Sequence, residues 1–273
     1  LITHGLPYPQ NLEIAKQAEH AVRQQGAVPA TIAIIAGEIC VGMSGKQLAY
    51  LAQQPSASVH RCSRRNIAVP LLKRADGVTT VSGTMAIAHL AGIKVFATGA
   101  IGGAHLGKTY DVSSDLIELS RTPVTVVCSG IKPFLDIATT REMLESYSVP
   151  IIGFQGDDVA PFFQEHSGYF VDLQLNTIET IVEFLKMQTT LEVTFGELVI
   201  IPIDKDNRLP AETFKDTVRK TLQQANEDGI QGQEVTTWIV RALAKELGPV
   251  VFQSNIALLI QNATHAAKIA AKL

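Results

Sequence analysis

The feature that most restricts this chain's fold is a set of short, mostly apolar runs: Ile93 to Thr98, Val124 to Cys128, Pro150 to Phe154 and Glu197 to Ile203. Each lies beside a helical pattern, and the runs lack the polar alternation of a strand with one wet face. They predict strands buried on both faces, the habit of a parallel sheet covered by helices. The helical patterns are Asn11 as a cap for a stripe of Leu12, Ala15, Ala18 and Val22 ending at Gly26, a Ser44 and Gln47 capping box leading to Leu51, and Thr80 to Leu90. Further helices are predicted from a Ser113 or Ser114 cap to Leu119, and over Thr139 to Tyr147, Thr177 to Met187, Ala211 to Asp228, Glu234 to Leu247 and Asn255 to Lys272. Val28 to Ile35 with Ile39 to Val41 reads as a hairpin, and Val59 to Ser63 as a strand. The class that results is α/β: a three-layer α/β/α sandwich around a mixed, largely parallel sheet, with a helical C-terminal third. No linker or repeat divides it, so residues 1–273 are expected to form a single domain.

Composition narrows the function. Lys plus Arg total 23 against 26 Asp plus Glu, a net charge of -3, which supplies no basic field for nucleic acid or an acidic membrane surface. Cys40, Cys62 and Cys128 form neither a CxxC nor a Cys/His cluster, which argues against a disulfide framework or structural zinc and for a reducing compartment, with a cytoplasmic location expected. No apolar run approaches the roughly 20 residues that a membrane span needs. The first residue is Leu1 rather than Met, so further sequence is expected upstream.

Two motifs compete for the chemistry. Gly102-Gly103-Ala104-His105-Leu106-Gly107-Lys108-Thr109 satisfies G-x-x-x-x-G-K-[ST], the phosphate loop of nucleotide triphosphatases. That loop requires a helix starting at its Lys-Thr pair, whereas Tyr110-Asp111-Val112 is turn-forming and β-branched. The second is Lys132, just past the buried run Val124 to Cys128. At the mouth of an apolar pocket, an ammonium loses its proton near neutral pH and attacks a sugar carbonyl to form an imine. From local context alone, a solvated surface lysine is the commoner arrangement.

Longer stretches decide between them. Thr3-His4-Gly5-Leu6-Pro7-Tyr8-Pro9-Gln10-Asn11, Gly26 to Ile35, Ser63-Arg64-Arg65, Thr79-Thr80-Val81, Phe96-Ala97-Thr98-Gly99, Gly102-Gly103 with His105, Asp111 to Leu116, Cys128 to Lys132 and Ser254 to Leu258 occur in an order that resembles the pseudouridine-5'-phosphate glycosidase, or indigoidine synthase A-like, family. The likeness covers nearly the whole chain. It implies a homotrimeric α/β/α enzyme that reversibly splits pseudouridine 5'-phosphate into uracil and ribose 5-phosphate with a divalent metal, typically manganese. By the same resemblance Lys132 is the nucleophile and Asp111 the metal ligand, while Arg61, Val81, Ser113, Ser114 and Asp115 contact substrate. Ser113 or Ser114 serves equally well as a helix cap.

The chain also departs from the family's pattern. The family's general acid, a glutamate in a Glu-Ser-Thr motif, is expected to fall before Leu1. Arg61 stands where a lysine is usual, Asn66 where an Asp is usual, Leu106 in place of a basic residue, Ile201 in place of an Asn and Gln233 in place of a Lys. Arginine keeps the charge at position 61 with a different geometry, and each of the other four removes charge or polarity near the expected site. A catalytically degenerate relative that binds a sugar phosphate therefore stays open as an alternative, ahead of a nucleotide triphosphatase, and so does fusion to a sugar kinase.

Overall fold

In a computed structural model, the described residues are 7–106, 111–132, 134–160, 162, 167–209, 211–230, 238, 242–243, 245–246 and 248–273. The four apolar runs form strands of the expected parallel sheet, and a fifth strand, Leu173–Leu175, joins its edge where the sequence pattern predicts none. Its strands are β5 (Val95–Ala97), β7 (Thr125–Cys128), β9 (Ile151–Phe154), β10 (Leu173–Leu175) and β11 (Leu198–Ile200), in the spatial order β10-β9-β11-β7-β5, all parallel. Strand alternation divides their side chains between two cores. Val126, Cys128, Ile151, Leu198 and Ile200 point into one, and Val127, Ile152, Phe154, Val199 and Ile201 into the other.

Helices close both faces. The first core is filled by α4 (Val81–Leu90), α5 (Ser114–Leu119), α6 (Ile137–Ser146) and α8 (Ala211–Glu227), through Met85, Leu116, Leu119, Leu144, Phe214 and Val218. The second takes Ile181, Val182 and Leu185 of α7 (Ile178–Thr190) and Ala266 and Ile269 of α9 (Pro249–Ala270). This is the sandwich expected from buried-both-faces strands.

The hairpin lies in a second sheet, which collects the antiparallel pairing. β1 (Ile32–Ile35) and β2 (Glu38–Val41) pair antiparallel, β1 also pairs antiparallel with β4 (Gly77–Thr79), and β4 runs parallel to β3 (His60–Cys62). Around it lie α1 (Gln10–Gln24), α2 (Gly45–Ala52) and α3 (Ala68–Lys73). Helix α4 touches β1 and β4 of this sheet and β5 of the parallel one, so it lies where the sheets approach. The remaining pair, β6 (Ala104–His105) and β8 (Leu135–Asp136), is antiparallel.

Several boundaries differ from the sequence reading. Asn11 does not cap α1; Pro9 precedes the first turn, and Asn11 is buried with its Nδ2 donating to the Ala52 carbonyl at 2.9 Å, a bond that ties α1 to the end of α2. The Ser44 capping box forms as expected. Helix α6 starts earlier than Thr139 because Asp136 accepts the Thr139 amide at 2.9 Å. Helix α9 starts at Pro249 rather than Asn255, since proline is pre-set for the first helical position. The first hairpin strand begins at Ile32 rather than Val28, and the helix expected over Glu234 to Leu247 lies largely outside the described residues. No helix among the described residues is long and apolar enough to cross a membrane.

Candidate active site

Strand pairing continues past the ends of β5 and β7 and brings the two exit loops together. The Ser129 amide donates to the Gly99 carbonyl at 2.9 Å, the Ile101 amide to Gly130 at 3.1 Å and the Lys132 amide to Ile101 at 3.2 Å. Ile101 and Ile131, both fully buried, bridge in parallel. Loops beyond the carboxyl ends of parallel strands are where α/β proteins hold ligands. Gly130 has φ +104°, and a Cβ there would stand 1.7 Å from the Ala160 carbonyl oxygen. Only glycine lets the chain turn from β7 towards Lys132 beneath that carbonyl.

Lys132 is half-buried. Burial pushes its amine below the ordinary lysine value, the charge of Asp115 opposes that shift, and Arg61 adds to it. These three predicted site residues are therefore electrostatically coupled across the seam between the two sheets. A lysine held in this way has a larger neutral, nucleophilic fraction than one in water.

Asp115 is buried on α5, and both its oxygens accept backbone amides. Oδ1 takes the Ser82 amide at 3.0 Å and Oδ2 takes the Gly102 amide at 2.9 Å. Gly102 permits this approach, because a Cβ there would lie 2.3 Å from Ser113 Oγ. Ser113 is the α5 cap, its Oγ accepting the Asp115 amide at 3.2 Å, while Ser114 begins the helix with its side chain exposed. Val81 opens α4, so its amide is one that the helix itself leaves unpaired. The neighbouring Ser82 amide is the one bound by Asp115.

Arg61 comes from β3 on the other sheet. Burial pushes its guanidinium down from its ordinary value, with Asp115 opposing, and its buried Nε finds no hydrogen-bond partner among the described residues. Asn66 Nδ2 donates to the Arg61 carbonyl at 3.0 Å while Asn66 Oδ1 accepts the Ser63 amide at 2.8 Å. An amide fits this position because it both donates and accepts, so Asn66 acts here as a backbone clasp under Arg61.

Asp111 is half-buried, two residues before the Ser113 cap, and its carbonyl accepts the His105 amide at 2.9 Å. Ala104 also bridges Val112, which draws this segment alongside β6. Among the described residues no three His, Cys, Asp or Glu side chains converge as a metal cage. A single aspartate suits a hard divalent ion that keeps most of its waters, so the donor set fits the cation the resemblance implies.

Of the other departures, Ile201 is buried core and Leu106 is exposed, while Gln233 lies outside the described residues. The phosphate-loop match fares differently from Lys132. Ala104 and His105 are extended and paired in β6 where a phosphate loop would be curling round its ligand, and Lys108 and Thr109 lie outside the described residues. Burial pushes the Cys128 thiol up to about 12, so it stays protonated and is no nucleophile.

Sequence reasoning missed two polar groups around the site. Glu118 is fully buried against Arg64 at 2.6 Å and Arg121 at 3.3 Å, which fastens α5 to the segment after β3. Asn262, also fully buried, links α9 to Thr98 and Ser129. The i,i+3 spacing of Glu118 and Arg121 is a local signal, but nothing in the sequence joins Arg64 or Asn262 to their partners.

The indigoidine synthase A like protein family matches residues 1–272 of the chain. Proteins named pseudouridine-5'-phosphate glycosidase from Alkaliphilus metalliredigens and Paracoccus denitrificans are each 42% identical over 275 residues, which is 100% of this chain and 89% and 90% of theirs. Two solved structures superpose with TM-scores of 0.91. One is an indigoidine synthase A-like protein from Thermotoga maritima, 30% identical over 99% of this chain and 89% of that one. The other is the prealnumycin C-glycosynthase AlnA in complex with ribulose 5-phosphate, 32% identical over 100% of this chain and 89% of that one. With the match spanning nearly its full length and the fold shared throughout, the chain belongs to the indigoidine synthase A-like family.

Proposed function

We propose that this protein is a pseudouridine-5'-phosphate glycosidase, which reversibly splits pseudouridine 5'-phosphate and water into uracil and ribose 5-phosphate through an adduct on Lys132. The observation that carries the reading is a lysine set by strand pairing at the exit of β7, its amine made less basic by burial and coupled to the buried Asp115 and the half-buried Arg61 of the other sheet. The names of the relatives and the ribulose 5-phosphate in the AlnA structure supply the substrate class.

The bond to be broken joins carbon to carbon, so the base does not depart as the stabilised nitrogen anion of an ordinary nucleoside. In the proposed route, the neutral Lys132 amine bonds to the ribose C1, the ring oxygen leaves C1, and the proton that the nitrogen then gives up passes to that oxygen. A proton is added to the uracil ring carbon that carries the sugar. The nitrogen lone pair then forms a C=N bond at C1, and the electrons of the broken carbon–carbon bond restore the uracil double bond. Water hydrolyses the imine, which frees the amine and ribose 5-phosphate.

Arg61 is proposed to grip the phosphate, since its buried Nε–H has no acceptor among the described residues and a guanidinium binds phosphate bidentately. Ser113 and Ser114 offer hydroxyls, and Val81 its leading amide. Asp115 carries a negative charge of its own, so it suits a sugar hydroxyl better than the phosphate. Asp111 is proposed to hold the divalent ion, manganese in this reading, which would supply positive charge and bound water for a phosphorylated substrate. The protein is proposed to assemble as a homotrimer. Incubating the full-length protein with uracil, ribose 5-phosphate and manganese tests the reading: it predicts a new C-nucleotide. Thermal stabilisation by ribose 5-phosphate with no product favours the non-catalytic relative instead.

A further inference from the structure

The proposed mechanism needs Lys132 held in one place, and the hydrogen bonds around it show where that placement originates. The loop leaving β5 is fastened at its far end, where the Gly102 amide meets Asp115. Its near end is fastened by Asn262, a fully buried residue on α9 whose Nδ2 donates to the Thr98 carbonyl at 2.9 Å and meets Ser129 Oγ at 3.0 Å. The Ser129 hydroxyl also donates to Asn262 Oδ1 at 3.1 Å. Thr98 follows the last residue of β5 and Ser129 follows the last residue of β7. Between these two ends, the bonds from Ser129 to Gly99, Ile101 to Gly130 and Lys132 to Ile101 carry the register forward, one residue at a time, to the lysine.

We propose that Asn262 is a positioning residue for Lys132: from α9, one buried amide fixes the spacing of the β5 and β7 exits, and so holds the lysine at the seam facing Asp115 and Arg61. An amide is suited to the task because it donates to a carbonyl and accepts from a hydroxyl at once. The bonds it makes are buried, so water does not replace them cheaply when they are lost. Neither Asn262 nor Ser129 is placed in contact with substrate, and their effect is to act through Lys132.

This inference rests on the proposed role of Lys132, and the test separates the two. Full-length wild type, Asn262→Ala, Asn262→Asp and Ser129→Ala are treated with ribose 5-phosphate and borohydride. The amount of sugar fixed on the Lys132 peptide is followed against pH, and each variant's Tm is recorded. Wild type that fixes no sugar on Lys132 overturns the proposed function itself. If wild type is labelled, Asn262→Ala is expected to trap about ten-fold more slowly or worse at neutral pH, since small misplacements of a reacting group are costly. The rising limb of its pH profile should move towards the range of an ordinary lysine as the packing around the amine loosens and water reaches it. Asn262→Asp, which keeps the acceptor for Ser129 but loses the donor to Thr98, should lie between. Ser129→Ala removes only a buried hydroxyl and carries the test if Asn262→Ala does not accumulate; a smaller shift in the same direction is expected. Variants with lowered Tm but wild-type trapping rates and pH profiles would show a purely structural latch and overturn the inference.

Discussion

Replacing Asp115 with asparagine separates the two effects that this carboxylate exerts. Its oxygens accept the Ser82 amide at 3.0 Å and the Gly102 amide at 2.9 Å. Asparagine retains one acceptor and turns an NH2 towards the second amide. One buried donor loses its partner, at about 1–3 kcal/mol, and the surviving bond loses charge assistance, at about 1 kcal/mol. A net loss of about 2–4 kcal/mol corresponds to a fall in Tm of about 5–15 °C for a chain of this size. The second effect concerns charge: Asp115 favours the protonated form of Lys132, against the burial that disfavours it. Removing that charge lowers the affinity of the amine for its proton. The rising limb of borohydride trapping with ribose 5-phosphate is therefore expected to move to lower pH in Asp115→Asn, measured by mass spectrometry of the Lys132 peptide below the variant's Tm. A profile unmoved or moved to higher pH, in a variant whose Tm has fallen as expected, would refute the coupling.

Three further outcomes follow from the same physics. The Lys132 amine binds its proton less tightly folded than unfolded, so wild type carries a burden at neutral pH that lifts as pH rises towards the ordinary lysine range. Lys132→Met should abolish sugar labelling yet melt above wild type at neutral pH, with the advantage shrinking in alkaline buffer. Glu197 is buried with Thr125 Oγ1 donating to it at 2.9 Å, and burial pushes its carboxyl up; Glu197→Gln should raise Tm at neutral pH, the gain fading as pH falls towards the ordinary glutamate range. Asn66→Asp loses the donor to the Arg61 carbonyl, at about 1 kcal/mol, and should raise the KM for the phosphorylated substrate more than it changes kcat.

The central strands of the parallel sheet were legible because they are buried on both faces: Val126 and Val127 point into different cores, and both must be apolar, whereas the largely exposed edge strand β10 left no such run. Capping chemistry was equally local, and the Ser44 with Gln47 box and the Ser113 cap lie where the sequence put them. The short strands β4 and β6 left no comparable pattern. Gly77–Thr79 becomes a strand only because β1 and β3 flank it, and Ala104–His105 only because β8 lies beside it. Asn11 shows a propensity overridden by tertiary contact, since its side chain is taken by Ala52 across a helix pair. At the site, Lys132, Asp115 and Arg61 were reached through resemblance, and their electrostatic coupling needed the fold. The amide of Asn262 meets Ser129 across 133 positions, a separation at which local sequence carries no signal.

The most direct measurement is the site of covalent sugar attachment. Full-length protein incubated with ribose 5-phosphate and borohydride, then digested and sequenced by mass spectrometry, should carry the reduced sugar on the nitrogen of Lys132, with labelling persisting at neutral pH where an exposed lysine is protonated. Sugar fixed on other lysines, or none fixed by protein that forms the C-nucleotide, would contradict the account.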